Sequence, residues 1–219
     1  MRRLAILRPE PGASATLERA LGLGFDAISL PLFEIAALEW NAPDGGGFDG
    51  LLLTSANAVR HGGEGLRALR GLPVYAVGEA TEAEARAAGF GIAATGGEGA
   101  ERLLGSIDPA LRLLHVCGRH RIELEAAQTI TPIAVYQSRA ITGVDPGPLE
   151  GCVVLLHSPR AAHRLAELAL NHSTIAIAAI SPAAAEAAGP GWASIDASDA
   201  PNDQALLALA ARLCKNARQ

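Results

Sequence analysis

Lysine is nearly absent from this chain of 219 residues. Lys215 is the only one, and arginine supplies the rest of the 18 cationic side chains against 23 acidic ones. The formal net charge of −5 argues against a nucleic-acid-binding surface, because neutralising a phosphate backbone requires a basic face. A few well-placed donors can still hold a small anion. Cysteine is scarce as well: Cys117, Cys152 and Cys214 are widely spaced, odd in number and without a CxxC or Cys/His ligand spacing. Neither a disulfide framework nor a zinc site is expected, and reduced cytoplasmic thiols are the reading. The six histidines are scattered, so no metal centre is expected. No segment approaches the roughly 18 consecutive apolar residues of a membrane span. The apolar run in MRRLAILRPEPG is too short for a signal peptide and stops at a proline. GxSxG, GxGxxG and GxxxxGK[ST] are all missing, and GGEGAE at 96–101 fits none of them. This counts against a hydrolase nucleophile elbow, a dinucleotide fingerprint and a P-loop. Aromatic residues make up 4% of the chain, with Tyr75 and Tyr136 the only tyrosines.

What the chain does have is a near-repeat of itself. FDGLLLTSANAV at 48–59 returns as LEGCVVLLHSPRAA at 149–162, and LPVYAVGEATEAEARAAG at 72–89 returns as STIAIAAISPAAAEAAG at 173–189. Ser55 then matches Ser158, and Gly78 matches Ser181. In each copy an apolar strand ends on a small residue that opens a helix, which points to two similar units with matching strand-end sites.

Short apolar runs alternate with amphipathic or alanine-rich stretches along the rest of the chain. Strands are expected at 4–8, 51–55, 73–78, 91–95, 111–118, 153–158, 174–181 and 192–197. Extended segments are expected at 26–35 and 131–140. Helices are expected at 14–24, after Ser55, at 81–89, within 96–107, at 121–127 (RIELEAA), 159–169, 182–189 and 202–214. Strands alternating with helices imply α/β units with doubly wound, mostly parallel sheets. The β-α-β at 4–35 resembles that at 111–140, so two consecutive domains are one reading. The extended segments PLFEIAALEW and AVYQSRAITG open a second, in which the chain crosses between domains.

In such sheets ligands sit beyond the carboxyl ends of the strands, at helix amino termini. The candidates there are Ser55 after LLLT, Ser158 and Ser181 each followed by proline, Gly78 and Thr81 in GEAT, and Gly118 followed by Arg119. Simple helix capping explains any one of these serines equally well. Arg8, at the end of the first strand, and Arg119 can each meet a carboxylate with a bidentate fork or stand as ordinary exposed charges. Tyr136 lies in an extended segment where a phenol can act as a proton donor, or simply pack. His157 next to Ser158 looks like a diad, but neighbouring strand residues point to opposite faces.

The ordered set ILRPEPG, FDGLLLTSANAV, PVYAVGEAT, HVCGRHR, IAVYQS, VVLLHSPRAA and AIAAISPAAAEAAG, closed by an ALLALAARL helix, resembles the uroporphyrinogen-III synthase family over almost the whole chain. The resemblance implies two α/β domains joined by a two-stranded connector, with the active site in the cleft between them. One domain would comprise 1–34 plus 142–219 and the other 37–137, with connectors at 35–36 and 138–141. It implies closure of linear hydroxymethylbilane to uroporphyrinogen III, with inversion of ring D and loss of water, and it implies no cofactor or metal. Tyr136 matches the tyrosine proposed to assist departure of the hydroxyl. Ser55, Thr81 and Ser158 match cleft positions. The implied partners are the polycarboxylate substrate and, upstream, hydroxymethylbilane synthase, with a monomeric chain. Two departures stand out: Ala184 replaces the threonine expected as the partner of Thr81, and 119–131 is short. A non-catalytic two-lobed binding protein for a small anion, or a degenerate synthase-like partner domain, remain alternatives.

Overall fold

Uninterrupted apolar runs become short, fully buried parallel strands, because a strand covered on both faces has no solvent side to spare for polar residues. The computed structural model describes residues 2–97, 99–168 and 170–216. In chain order the elements begin with β1 (Leu4–Ile6), α1 (Gly12–Gly22), β2 (Ala27–Ser29), β3 (Phe33–Ala37), β4 (Gly50–Leu53), α2 (Ala56–His61), α3 (Gly63–Arg67), β5 (Val74–Val77), α4 (Glu79–Ala87) and β6 (Ile92–Gly96). They continue with α5 (Ala100–Gly105), β7 (Arg112–Gly118), β8 (Thr129–Ala140), β9 (Val153–Leu156), α6 (Pro159–Ala166), β10 (Ala176–Ala179), α7 (Pro182–Ala187), β11 (Ser194–Ala197) and α8 (Asp203–Asn216). Two compact units result: Met1–Glu34 together with Ala140–Gln219, and Ile35–Arg139.

The first unit holds a five-stranded sheet in the order β11-β10-β9-β1-β2, parallel throughout. Alternate residues of its strands face opposite cores. Leu4, Ile6, Val153 and Leu155 pack with Ala13, Ala20, Leu206 and Leu209 of α1 and α8. Ala5, Val154, Leu156 and Ile177 pack with Ala162, Leu165, Ala184 and Ala188 of the α6 and α7 side. The sheet is therefore doubly wound, as the alternation of elements predicts.

The second unit holds a six-stranded sheet in the order β3-β8-β7-β4-β5-β6. Leu51, Leu53, Val74, Leu114 and Val116 face α2, α3 and α4 through Ala58, Leu66, Ala85 and Phe90. Leu52 and Leu113 face α5 through Leu103 and Leu104. Leaving out the edge strand β3, the order β8-β7-β4-β5-β6 repeats that of the first unit, with β4, β5 and β6 in the places of β9, β10 and β11. The two units thus share one sheet order, entered by the chain at different strands.

One helix expected from the sequence does not form. Residues 121–126 have no regular structure, and β8 begins at Thr129, two residues before the expected start. The reason is geometric. β7 and β8 are parallel neighbours, so the chain leaving Gly118 must travel back the length of β7, about 20 Å at ~3.3 Å per residue, using residues 119–128. A helix over all ten would cover only about 15 Å at ~1.5 Å per residue, so a short return of this kind leaves little slack for helix, and the segment runs without regular structure. Ile122 is left 87% exposed.

Candidate active site

In the second unit, register brings four of the candidate residues into one row at the carboxyl ends of the strands. Leu53 of β4 pairs with Ala76 of β5 and with Val116 of β7, so Ser55, Gly78 and Gly118, two residues further on, lie level. Gly118 in turn pairs with Tyr136 of β8. A register shift falls between Cys117 and Gly118, a bulge of the kind that re-aims a side chain. It lays the Tyr136 ring against Gly118: a Cβ on that glycine would stand 2.8 Å from Cε2 and Cζ and 3.1 Å from the hydroxyl oxygen. The phenol is half-buried, with the His61 ring centroid 6.1 Å away. The Arg119 backbone N–H donates to the Tyr136 carbonyl at 2.8 Å, while the Arg119 side chain is exposed.

Ser55 caps α2, its Oγ accepting from the Asn57 N–H at 3.2 Å. Its own hydroxyl proton remains a donor for a carboxylate. Gly78 turns the chain from β5 into α4 with φ +84°, a conformation that side chains disfavour. Thr81, in the first turn of α4, is only 4% exposed, so it faces the core rather than the row. Its counterpart Ala184 is fully buried too.

The first unit has its own row. Leu156 of β9 pairs with Ala179 of β10 and Leu155 with Ile6 of β1, which sets Ser158 and Ser181 level and Arg8 beside His157. Ser158 and Ser181 cap α6 and α7, accepting from the Ala161 and Ala184 N–H groups at 3.2 and 3.3 Å. Arg8 is engaged otherwise. Its Nη1 donates to Asp203 at 3.1 Å and to Thr16 at 3.3 Å, across Gly12, where a Cβ would meet the guanidinium at 2.5 Å. Asp203 also accepts from Thr16 Oγ1 at 2.7 Å and from Arg19, and its Oδ1 lies 3.1 Å from His157 Nε2. This knot ties β1, α1, β9 and α8 together. His157 therefore partners Asp203, while the Ser158 hydroxyl serves a helix end.

Electrostatics follow burial. His157, with its side chain 7% exposed, is lowered to about 4, chiefly by burial and then by Arg8. Neutral, it donates Nε2–H to the Asp203 carboxylate. Burial pushes Asp203 up, but the Thr16 hydroxyl, His157 and Arg8 outweigh it and hold it below the ordinary carboxylate value. His115, on β7, is 3% exposed and meets Thr54 Oγ1 through Nε2 at 3.0 Å. Burial, then Arg121, lowers it to about 4. Burial and the neighbouring Arg60 lower His61. The three cysteines are free and buried, and burial pushes their thiols up. Among the described residues no three His, Cys, Asp or Glu side chains cluster to hold a metal ion, and no helix is long and apolar enough to cross a membrane.

Sequence reasoning missed the roles of Thr16, Arg19, His157 and Asp203, of the Thr54–His115 pair and of His61. Asp203 opening the last helix was the one available signal, since an acid in the first turn suits the helix dipole.

Comparison with known proteins adds to these observations. A family model described as uroporphyrinogen-III synthase HemD matches residues 14–208. No curated protein matches the chain. The solved uroporphyrinogen-III synthetase from Helicobacter pylori 26695 is 20% identical with a TM-score of 0.69, over 97% of this chain and 100% of that one. A mutant uroporphyrinogen III synthase from the extremely thermophilic bacterium Thermus thermophilus is 18% identical with a TM-score of 0.54, over 99% of this chain and 100% of that one. These structures share its fold, and because the family match runs through both units and the residues of both strand-end rows except Arg8, this chain belongs to the uroporphyrinogen-III synthase family.

Proposed function

We propose that this chain closes hydroxymethylbilane to uroporphyrinogen III through the two rows of strand ends, with Tyr136 as the proton donor to the departing hydroxyl. The observation that carries the reading is the level row Tyr136, Gly118, Ser55 and Gly78, built at a bulge in a chain of this family. Loss of water needs a proton, and a phenol held by its ring against a glycine is a positioned donor. The cation left behind is already reactive, so the protein's main task is orientation: ring D must be attacked at its substituted carbon, through a spiro intermediate, before unguided closure occurs.

Substrate carboxylates are met by hydroxyls and by the free N–H groups at helix starts, with Ser55, Ser158 and Ser181 donating their remaining protons and Arg119 supplying an exposed guanidinium. This is how an acidic protein takes a polyanion. Arg8 acts differently in this reading. Its fork is occupied by Asp203, so it shapes the row of the first unit and only its remaining exposed edge reaches substrate. Gly78 and Gly118 contribute space and backbone. Thr81, facing inward, supports the α4 start. The chain works as a cytoplasmic monomer fed by hydroxymethylbilane synthase; its three free, buried cysteines suit a reducing compartment.

The test is incubation with freshly prepared hydroxymethylbilane and separation of the product isomers. Uroporphyrinogen III is expected. Isomer I alone, at the rate without protein, overturns the reading, and tight tetrapyrrole binding without turnover would mark a binding protein instead. Tyr136→Phe is expected to slow closure by about 10²-fold or less, at the lower end of what one general acid contributes, since the bilane also ionises unaided. Unchanged turnover would remove the phenol from the mechanism.

A further inference from the structure

In a chain of net charge −5, three arginines converge on one concavity of the second unit. Arg60, Arg67 and Arg70 line a cavity of about 400 Å³ in which Glu84 is the only acidic residue among the described lining. Its apolar wall includes Val59, Leu66 and Phe90, of which Leu66 and Phe90 are buried. Two of the guanidiniums are already paired: Arg60 bonds Glu84 at 2.6 Å and Arg67 bonds Glu64. The Arg70 guanidinium makes no hydrogen bond or ion pair among the described residues. It extends over Gly89, its Nε 3.6 Å from where a Cβ on that glycine would stand, and Gly89 ends the α4 turn that forms part of the wall.

We propose that this cavity binds a small organic anion, its acidic group held by Arg70 and its body apolar or aromatic. With Arg60 paired to Glu84 and Arg67 to Glu64, one positive charge, that of Arg70, is left for the ligand to neutralise. The guanidinium fork matches carboxylate and phosphate oxygens two at a time. An inorganic ion would leave the apolar lining of Val59, Ala87 and Ala88 uncovered, whereas a ring or short hydrocarbon covers it. The volume falls in the range of small-ligand sites, about 300–1,000 Å³. The site stands apart from the strand-end row along α4, which opens at Gly78 in the row and first reaches the cavity at Glu84, about 9 Å away at ~1.5 Å per residue.

Calorimetric titration of the full chain with phthalate, phenyl phosphate and inorganic phosphate tests this. At least one organic anion is expected to bind saturably with Kd below about 1 mM, and inorganic phosphate about tenfold more weakly. Tighter binding of phenyl phosphate identifies a phosphate ligand, and of phthalate a carboxylate. Arg70→Ala is expected to weaken the organic probe about tenfold or more, the worth of one hydrogen bond to a charged group, and Arg70→Glu to abolish binding. Both variants should keep wild-type melting and wild-type KM for hydroxymethylbilane. Absence of saturation by any probe, equal binding of inorganic phosphate, or insensitivity to Arg70 overturns the proposal. So does a KM for hydroxymethylbilane that rises in step with the loss of probe binding, since the cavity would then be part of the reaction site.

Discussion

Adding one methyl group at Gly118 tests how strictly the Tyr136 phenol is placed. In Gly118→Ala the new Cβ would stand 2.8 Å from two ring carbons and 3.1 Å from the hydroxyl oxygen. Carbon atoms settle at about 3.5–4.0 Å, so the ring has to shift by close to 1 Å. Gly118 has no left-handed backbone to lose, so the perturbation is the contact itself. Overpacking of this kind costs about 1–3 kcal/mol of stability, and a shift of about 1 Å in a reacting group costs up to about 10²-fold in rate. The expectation is a turnover lowered about 10- to 100-fold with KM nearly unchanged, measured by single-turnover formation of uroporphyrinogen III. The second arm is the Gly118→Ala, Tyr136→Phe pair. If the methyl acts by displacing the hydroxyl, it has little left to remove once the hydroxyl is gone, so the combined loss should be well short of the product of the two single losses. Independent, multiplying losses would refute the reasoning, because Gly118 would then act on something other than the phenol.

Acid should loosen the fold before it touches the carboxylates. His157 and His115 bind a proton near pH 6.5 when unfolded and only near about 4 when folded. The stability they contribute is complete above pH 6.5 and lost as pH falls through that window, by up to about 1.4 kcal/mol per pH unit for each. Urea midpoints should decline across it, and His157→Gln should flatten the decline; a midpoint independent of pH there would contradict the burial argument. Asp203→Asn leaves Arg8 and Arg19 without their shared counter-charge and is expected to cost about 3 kcal/mol; a urea-derived loss under about 1 kcal/mol would show that the knot is ornamental. Ser158→Asp keeps a good helix cap but sets a negative charge in the row, so KM for the polycarboxylate substrate should rise about tenfold or more with melting unchanged. An unaltered KM would limit Ser158 to capping.

The fold class was legible in the sequence because the signals are local. Runs such as GLLL and VVLL cannot bury themselves except between two layers, and Ser55, Ser158 and Ser181 announce the helices they cap. The candidate row of the second unit was half legible. Ser55 and Gly78 stand at matching points of a visible repeat, but the bulge that turns Tyr136 onto Gly118 depends on pairing between β7 and β8. The 121–127 stretch misleads because its composition favours a helix while the parallel return to β8 must be made in only ten residues. Arg8 was left between a carboxylate-binding fork and an exposed charge because its partner, Asp203, lies at the other end of the chain. Pairing of that range leaves no mark in local composition.

The shared sheet order of the two units carries a consequence for synthesis. Ile35–Arg139 is continuous, so every strand that its β4–β8 order requires has been synthesised once β8 is made. The other unit has β1 in the interior of its sheet, between β2 and β9, and β9 begins only at Val153. The first segment to emerge is therefore among the last to find both its neighbours. Until then the β1-α1-β2 segment exposes Leu4 and Ile6, the residues that will be fully buried, making the oldest part of the nascent chain the one most in need of protection from aggregation.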